Sequence, residues 1–265
     1  MPHSPALALD DMLAQAAKKA ELARRRPGRY LVSAVQAGVY IGLGEVLLLS
    51  VAAPFDLAHS PAVRLLEGAV FGVALILVVL AGAELFTSAA MVMAFGRLGR
   101  RTGRRDLARV WGLALLGNLA GAVGLGLLMH ATGLLGTAPA GKMLGELIAA
   151  KNALTGGELF TRAVLCNLLV CLAVWMVARV RGDGAKMAAL WWPVFAFVAA
   201  GFEHCVANMA LYALAITDGR AGVGDLARNL LYVVPGNVVG GAVLVAGAYW
   251  FTRPTEARAG ERTRP

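Results

Sequence analysis

Long apolar runs parted by short polar, base-rich stretches set the pattern of this chain, at residues 30–52, 65–95, 110–130, 159–178, 187–216 and 229–251. A bilayer core about 30 Å thick takes about 20 apolar residues per helix, so each run is long enough to cross. The second and fifth are too long for one plain helix, and each carries polar residues near its middle: Glu84, Thr87 and Ser88 in one, Glu203, His204 and Asn208 in the other. A charge at bilayer centre costs roughly 2.5–3.5 kcal/mol and faces a cavity or a partner rather than lipid. The pattern therefore predicts two broken helices lining a transport pathway. Ahead of the spans, residues 10–26 carry a weak apolar stripe (Met12, Leu13, Ala16, Ala17, Ala20, Leu22) closed by Lys18, Lys19, Arg24, Arg25 and Arg26. Such a segment reads as a short amphipathic helix on the cytoplasmic surface.

The two broken runs are related. Gly82-Ala-Glu84 recurs as Gly201-Phe-Glu203, and Gly117-Asn118 recurs as Gly236-Asn237, so that Glu and Asn stand equally far apart in both halves. Three spans per half means that the second copy is inserted upside down, an arrangement in which transporters place their substrate site at the repeat interface. The fold class expected is an all-α membrane protein of six transmembrane helices in two inverted three-helix repeats. Its parts are an N-terminal cytoplasmic helix at 1–29, a channel domain at 30–252 and a cytoplasmic tail at 253–265.

Composition agrees. Of 265 residues, 58% are hydrophobic and the mean hydropathy is +0.67, above the roughly 45–50% apolar share of soluble domains. The net charge of +9 does not form a patch for nucleic acid. Instead it reports topology: 19 of the 25 Lys and Arg fall at the N-terminus, in the 97–109 and 179–186 loops and in the tail, against 5 in the opposite loops. The positive-inside rule then places both termini in the cytoplasm, and no cleavable signal is expected. Cys166, Cys171 and Cys205 lie inside apolar runs, with neither a disulfide framework nor metal-ligand spacing.

Within the breaks, half-helix N-termini favour anions. Thr87 and Ser88 are candidates to cap one half-helix, and Asn208 to supply hydrogen bonds near the other. Glu84 and Glu203 have a structural reading, accepting hydrogen bonds from backbone N–H groups freed by the break. His204 can donate and accept, and titrates near 6.5 in its reference state, so a passing anion could recruit a proton onto the ring; the alternative is a packing histidine. Lys151 is either a lone ammonium at a pore mouth or an interfacial lysine that snorkels. Glu45, beside Gly42 and Gly44 in the first span, either pairs with a neighbouring protomer or lines a crevice. Phe71, Phe86 and Phe197 are core or lipid-facing residues, or apolar constrictions.

The residues resemble a known family, that of formate/nitrite transporters, over about residues 27–251. The resemblance is carried by Ala37-Gly-Val-Tyr-Ile-Gly-Leu-Gly44, Ala83-Glu-Leu-Phe-Thr87, Leu165-Cys-Asn-Leu-Leu-Val-Cys-Leu-Ala-Val-Trp175, Gly201-Phe-Glu-His-Cys-Val-Ala-Asn-Met209 and Gly236-Asn-Val-Val-Gly-Gly241. It implies an aquaporin-like protomer, a homopentamer in the bacterial inner membrane, and a pore histidine at His204 flanked by Thr87 and Asn167. It also implies a vestibule lysine at Lys151, an outer constriction of Phe71 and Phe197, and an inner one near Leu85 and Phe86. Asn208-Met-Ala-Leu-Tyr-Ala-Leu214, Pro27-Gly-Arg-Tyr30 and Asn229-Leu-Leu-Tyr232 are similar to the nitrite branch, with formate or hydrosulfide as alternatives. Ala210 and Ser88-Ala89 depart from the family pattern. No enzyme activity and no cofactor are implied. A haem or metal subunit using His204 and His130 is disfavoured because no two histidines share a helix at ligand spacing, and a neutral-solute channel because the paired Asn-Pro-Ala signatures are absent.

Overall fold

The computed structural model describes residues 2–253; the tail expected beyond Arg253 lies outside them. Every regular element among those residues is helical: α1 Pro5–Arg25, α2 Pro27–Leu57, α3 Val63–Leu80, α4 Phe86–Leu98, α5 Arg104–Thr132, α6 Ala140–Ala153, α7 Gly156–Arg179, α8 Asp183–Ala199, α9 Cys205–Thr217 and α10 Val223–Phe251. Five of these (α2, α3, α5, α7 and α10) are long and apolar enough to cross a membrane. The two over-long runs resolve into α3 with α4 and α8 with α9. The breaks are shorter than the 82–87 and 201–208 expected from the sequence, because helix resumes at Phe86 and at Cys205.

Local chemistry sets the boundaries. Ser4 caps α1 by accepting from the Leu7 N–H, and Pro5 sits in the first turn, where a missing N–H costs nothing. Pro27 likewise opens α2 directly after Arg26. Thr155 and Glu158 form a capping box at the start of α7. Helix α6, between α5 and α7, has no counterpart in the sequence reading. It is short and only partly apolar, and its burial of Met143, Leu144 and Ile148 comes from tertiary packing.

α2 packs against α3 and α5, α7 against α8 and α10, α3 against α8, and α5 against α9. Gly38 lets α2 approach the backbone of Asn118 on α5, where any Cβ would collide. α10 loosens into a π-helical stretch over Val239–Gly247 at the place where Gly241 meets Asn167 and Cys171 of α7. The apolar stripe of α1 (Ala8, Leu9, Met12, Ala16, Ala20, Ala23) is buried, and the helix packs on α4, α5, α2 and α7. His3 and Arg179 exchange two hydrogen bonds, tying the N-terminus to the end of α7. Leu116, Leu127 and Leu128 of α5, Leu231 and Val243 of α10 and Trp192 of α8 point outward.

Candidate functional site

The site is built from the two breaks, and each break is built the same way. Gly82 and Gly201 reverse the chain at φ of 81° and 72°, a left-handed conformation that costs a residue with a Cβ roughly 1–2 kcal/mol. The amide nitrogens that follow must find partners, since lipid supplies none. Glu84 N–H donates to the Ser33 carbonyl at 3.2 Å and Glu203 N–H to the Arg162 carbonyl at 3.4 Å. Asn118 Oδ1 then accepts from Phe86 N–H at 2.9 Å, and its Nδ2 donates to the Ala34 and Glu84 carbonyls at 2.8 and 2.9 Å. Asn237 repeats the set, accepting from Cys205 N–H at 2.9 Å and donating to the Ala163 and Glu203 carbonyls at 2.8 and 3.0 Å.

The carboxylates expected to hold the breaks do something else. Glu84 accepts from Lys19 Nζ of α1 at 2.5 Å. Glu203 accepts from Lys151 Nζ of α6 at 2.8 Å and from Asn208 Nδ2 at 2.7 Å. Neither side chain takes a backbone N–H among the recorded bonds of the described residues, because the asparagine carboxamides have already occupied those donors. Lys151 is accordingly no lone ammonium. Asn208 also donates to Asn229 Oδ1 at 2.8 Å. Thr87 and Ser88 are not caps: Leu85 holds the N-cap position of α4 with no side-chain cap, and Ser88 donates to the Leu85 carbonyl.

His204 is itself the N-cap of α9, its Nδ1 accepting from the Ala207 N–H at 3.0 Å. With Nδ1 committed as an acceptor, the neutral ring carries its hydrogen on Nε2 and donates to Thr87 Oγ1 at 3.0 Å. The ring lies nearly parallel to Phe197, centroids 5.9 Å apart, and Phe197 meets Phe71 edge-on at 6.2 Å. Asn167 makes no hydrogen bond to the imidazole among the described residues. Its Nδ2 donates to the Thr87 and Asn237 carbonyls at 3.1 and 2.6 Å, so it positions the threonine rather than the ring.

One cavity adjoins this cluster and another adjoins the first break. A smaller one, about 110 Å³, is walled by Phe71, Phe197, His204, Lys151, Glu203 and Asn208, and also by Glu45, Glu67, Arg64 and Arg162. A larger one, about 910 Å³, opens beside Lys19, Gly82, Ala83, Glu84 and Ser88. Leu85, Phe86 and Thr87 are buried at 0, 2 and 0% exposure and line neither cavity, with Phe86 set edge-on against Trp111. Arg64, Glu67, Arg162, Asn229 and the partnership of Lys19 were missed by the sequence reading. The available signal was Glu84 itself, since an acid at membrane depth demands a base.

The profile of the formate/nitrite transporter family matches residues 6–251. The chain is 38% identical to the nitrite transporter NirC of Escherichia coli, over 92% of this chain and 91% of that one. It is 42% identical to a probable formate transporter of Methanothermobacter thermautotrophicus, over 88% and 92%. Among solved structures, an FNT family ion channel superposes with a TM-score of 0.87 at 35% identity, covering 93% of this chain and 99% of the other. A pentameric formate channel with formate bound gives 0.72 at 32% identity, covering 84% and 96%. The extent of these matches and the two-break architecture establish that the chain belongs to the formate/nitrite transporter family.

Proposed function

We propose that the protein is a membrane channel for small monovalent anions, nitrite first, and that the anion passes His204 while sharing a proton. The observation that carries this reading is the imidazole in the wall of the smaller cavity, with its Nε2 hydrogen directed at Thr87 of the other break. An anion in the smaller cavity meets the Lys151–Glu203 pair, loses water at the Phe71 and Phe197 rings and replaces Thr87 as acceptor of the Nε2 hydrogen. Leu85 and Phe86 form the second constriction, and Asn167 holds Thr87 in register. Carrying a bare charge through apolar rings costs several kcal/mol, a cost that a shared proton removes.

Nδ1 is held by the start of α9, and this supports proton sharing at Nε2 over a relay through the ring, which would have to break the cap. The same reading takes α3–α4 and α8–α9 as the second and fifth of six crossings in two oppositely inserted halves. Both termini face the cytoplasm of a bacterial inner membrane, and five protomers assemble as in the formate channel. Nitrite is preferred over formate on the NirC match across the chain; the formate relative keeps formate as the second reading. Uptake of both anions into proteoliposomes, at outside pH of about 5 and about 7.5 to bracket the reference histidine value, is the test. Faster nitrite entry that grows as pH falls is expected. Wild-type, pH-independent nitrite flux through His204→Asn overturns proton sharing, and a formate preference overturns the substrate order.

A further inference from the structure

Glu45 is the one acid of the smaller cavity left without a partner. Its side chain, on α2, is only 7% exposed and forms part of the wall with Phe71, Lys151 and Glu203, so it is enclosed within its own protomer rather than offered to a neighbour. Neither of its oxygens enters a recorded hydrogen bond or ion pair among the described residues. The other two acids of the wall are matched. Glu67 takes Arg64 Nη1 at 3.2 Å, and Glu203 takes Lys151 at 2.8 Å.

We propose that Glu45 is the proton-binding residue of this cavity, and that the cavity admits an anion when Glu45 is protonated and holds it off when Glu45 is ionised. The proposal rests on the anion-channel reading above. The groups facing Glu45 are Arg64 and Glu67 from α3, Lys151 from α6, Arg162 from α7, and Glu203 and His204 from the segment before α9; α5, along the other side of α2, contributes none to the wall. With Glu45 ionised and His204 neutral, three bases face three acids and the cavity is neutral. A proton from cavity water, converting the carboxylate to the carboxylic acid, leaves one positive charge in excess. In a small cavity with low-dielectric walls a single charge changes anion occupancy steeply. An ionised Glu45 has no cation of its own, and an unpaired buried charge carries a large penalty, so the proton also relieves the site that binds it.

The test uses the full chain in proteoliposomes, with nitrite as the probe. Glu45→Gln mimics the protonated acid, so its uptake at pH of about 7.5 should rise several-fold above wild type and its ratio between pH of about 5 and about 7.5 should fall below the wild-type ratio, leaving the part carried by His204. Glu45→Asp, which still titrates, should keep the pH dependence. Infrared difference spectra of the wild type across the same range should show a protonated-carboxyl C=O band that moves in Glu45→Asp and vanishes in Glu45→Gln, a readout that needs no flux. A Glu45→Gln profile that tracks the wild type, or a wild-type spectrum with no such band, overturns the assignment while leaving the channel standing. If the wild type moves neither nitrite nor formate, the anion pathway itself falls, and this proposal with it.

Discussion

The break before α4 and the break before α9 share a backbone and differ in the side chain that opens each half-helix, Leu85 in one and His204 in the other. Each has a glycine at positive φ, an asparagine 34 residues after the glutamate whose carbonyl it binds, and a lysine delivered to that glutamate by a helix outside the broken pair: Lys19 of α1 and Lys151 of α6. At the residue that opens the half-helix the two part company. Leu85 enters α4 with no side-chain cap, whereas His204 caps α9 with its own ring. The duplicated backbone therefore makes two equivalent platforms, and the chemistry is placed on one. The first platform offers Leu85 and the Thr87 hydroxyl as acceptor, while the second offers the His204 hydrogen to whatever passes.

If the platforms are equivalent, removing either clamp should cost the same, and this is the largest effect expected. Asn118→Ala and Asn237→Ala each orphan one backbone N–H and two carbonyls in the interior, and at about 1–3 kcal/mol per unsatisfied group each should lose about 3–9 kcal/mol in denaturant unfolding from detergent. Tolerance of one substitution but not the other would break the comparison. The lysines should separate the platforms next. Lys151→Met strands Glu203, whose side chain is 3% exposed, and breaking a buried pair by removing one partner costs about 3–5 kcal/mol. Lys19→Met leaves Glu84, at 15%, facing the larger cavity, where water can replace the ammonium, so a loss of about 1 kcal/mol or less is expected by analogy with exposed pairs. Gly82→Ala and Gly201→Ala should fall in between and match each other, at roughly 1–2 kcal/mol of left-handed strain. Their Cβ atoms would meet no atom within 3.8 Å, so a larger loss at either position would reveal a contact specific to that break.

The equivalence was legible in the chain because membrane thickness fixes how long an apolar run must be, and an over-long run with polar residues inside it announces a break. Asn118 and Asn237 were visible for the same reason: a carboxamide recurring at a fixed interval from a buried acid needs a common duty. The duty of Glu84 and Glu203 was misread. Their lysines lie 65 and 52 residues away on helices that do not belong to the repeat, and periodicity carries no information about such pairings. α6 escaped because its helicity depends on what it packs against. The role of Asn167, bound to the Thr87 and Asn237 carbonyls rather than to the imidazole, is a matter of a few ångströms, which no spacing rule resolves. Glu45 was legible as an acid that either pairs with a neighbouring protomer or lines a crevice, and only the cavity supplied the residues it faces.

The smallest expected effect on stability is the one that most sharpens the contrast between Leu85 and His204. Loss of an N-cap costs about 1 kcal/mol when the replacement is Ala, while Asn is itself among the preferred caps. His204→Ala should therefore destabilise α9 by about that amount, and His204→Asn by a few tenths at most, because an asparagine oxygen can still take the Ala207 N–H that Nδ1 now accepts. What asparagine cannot reproduce is a titratable ring whose second nitrogen reaches Thr87 Oγ1. A His204→Asn protein with wild-type unfolding and altered nitrite flux of weakened pH dependence would assign the capping to one face of the imidazole and the transport chemistry to the other. If flux and stability instead fall together in both variants, the ring matters only as the start of a helix, and the two platforms differ in fold rather than in function.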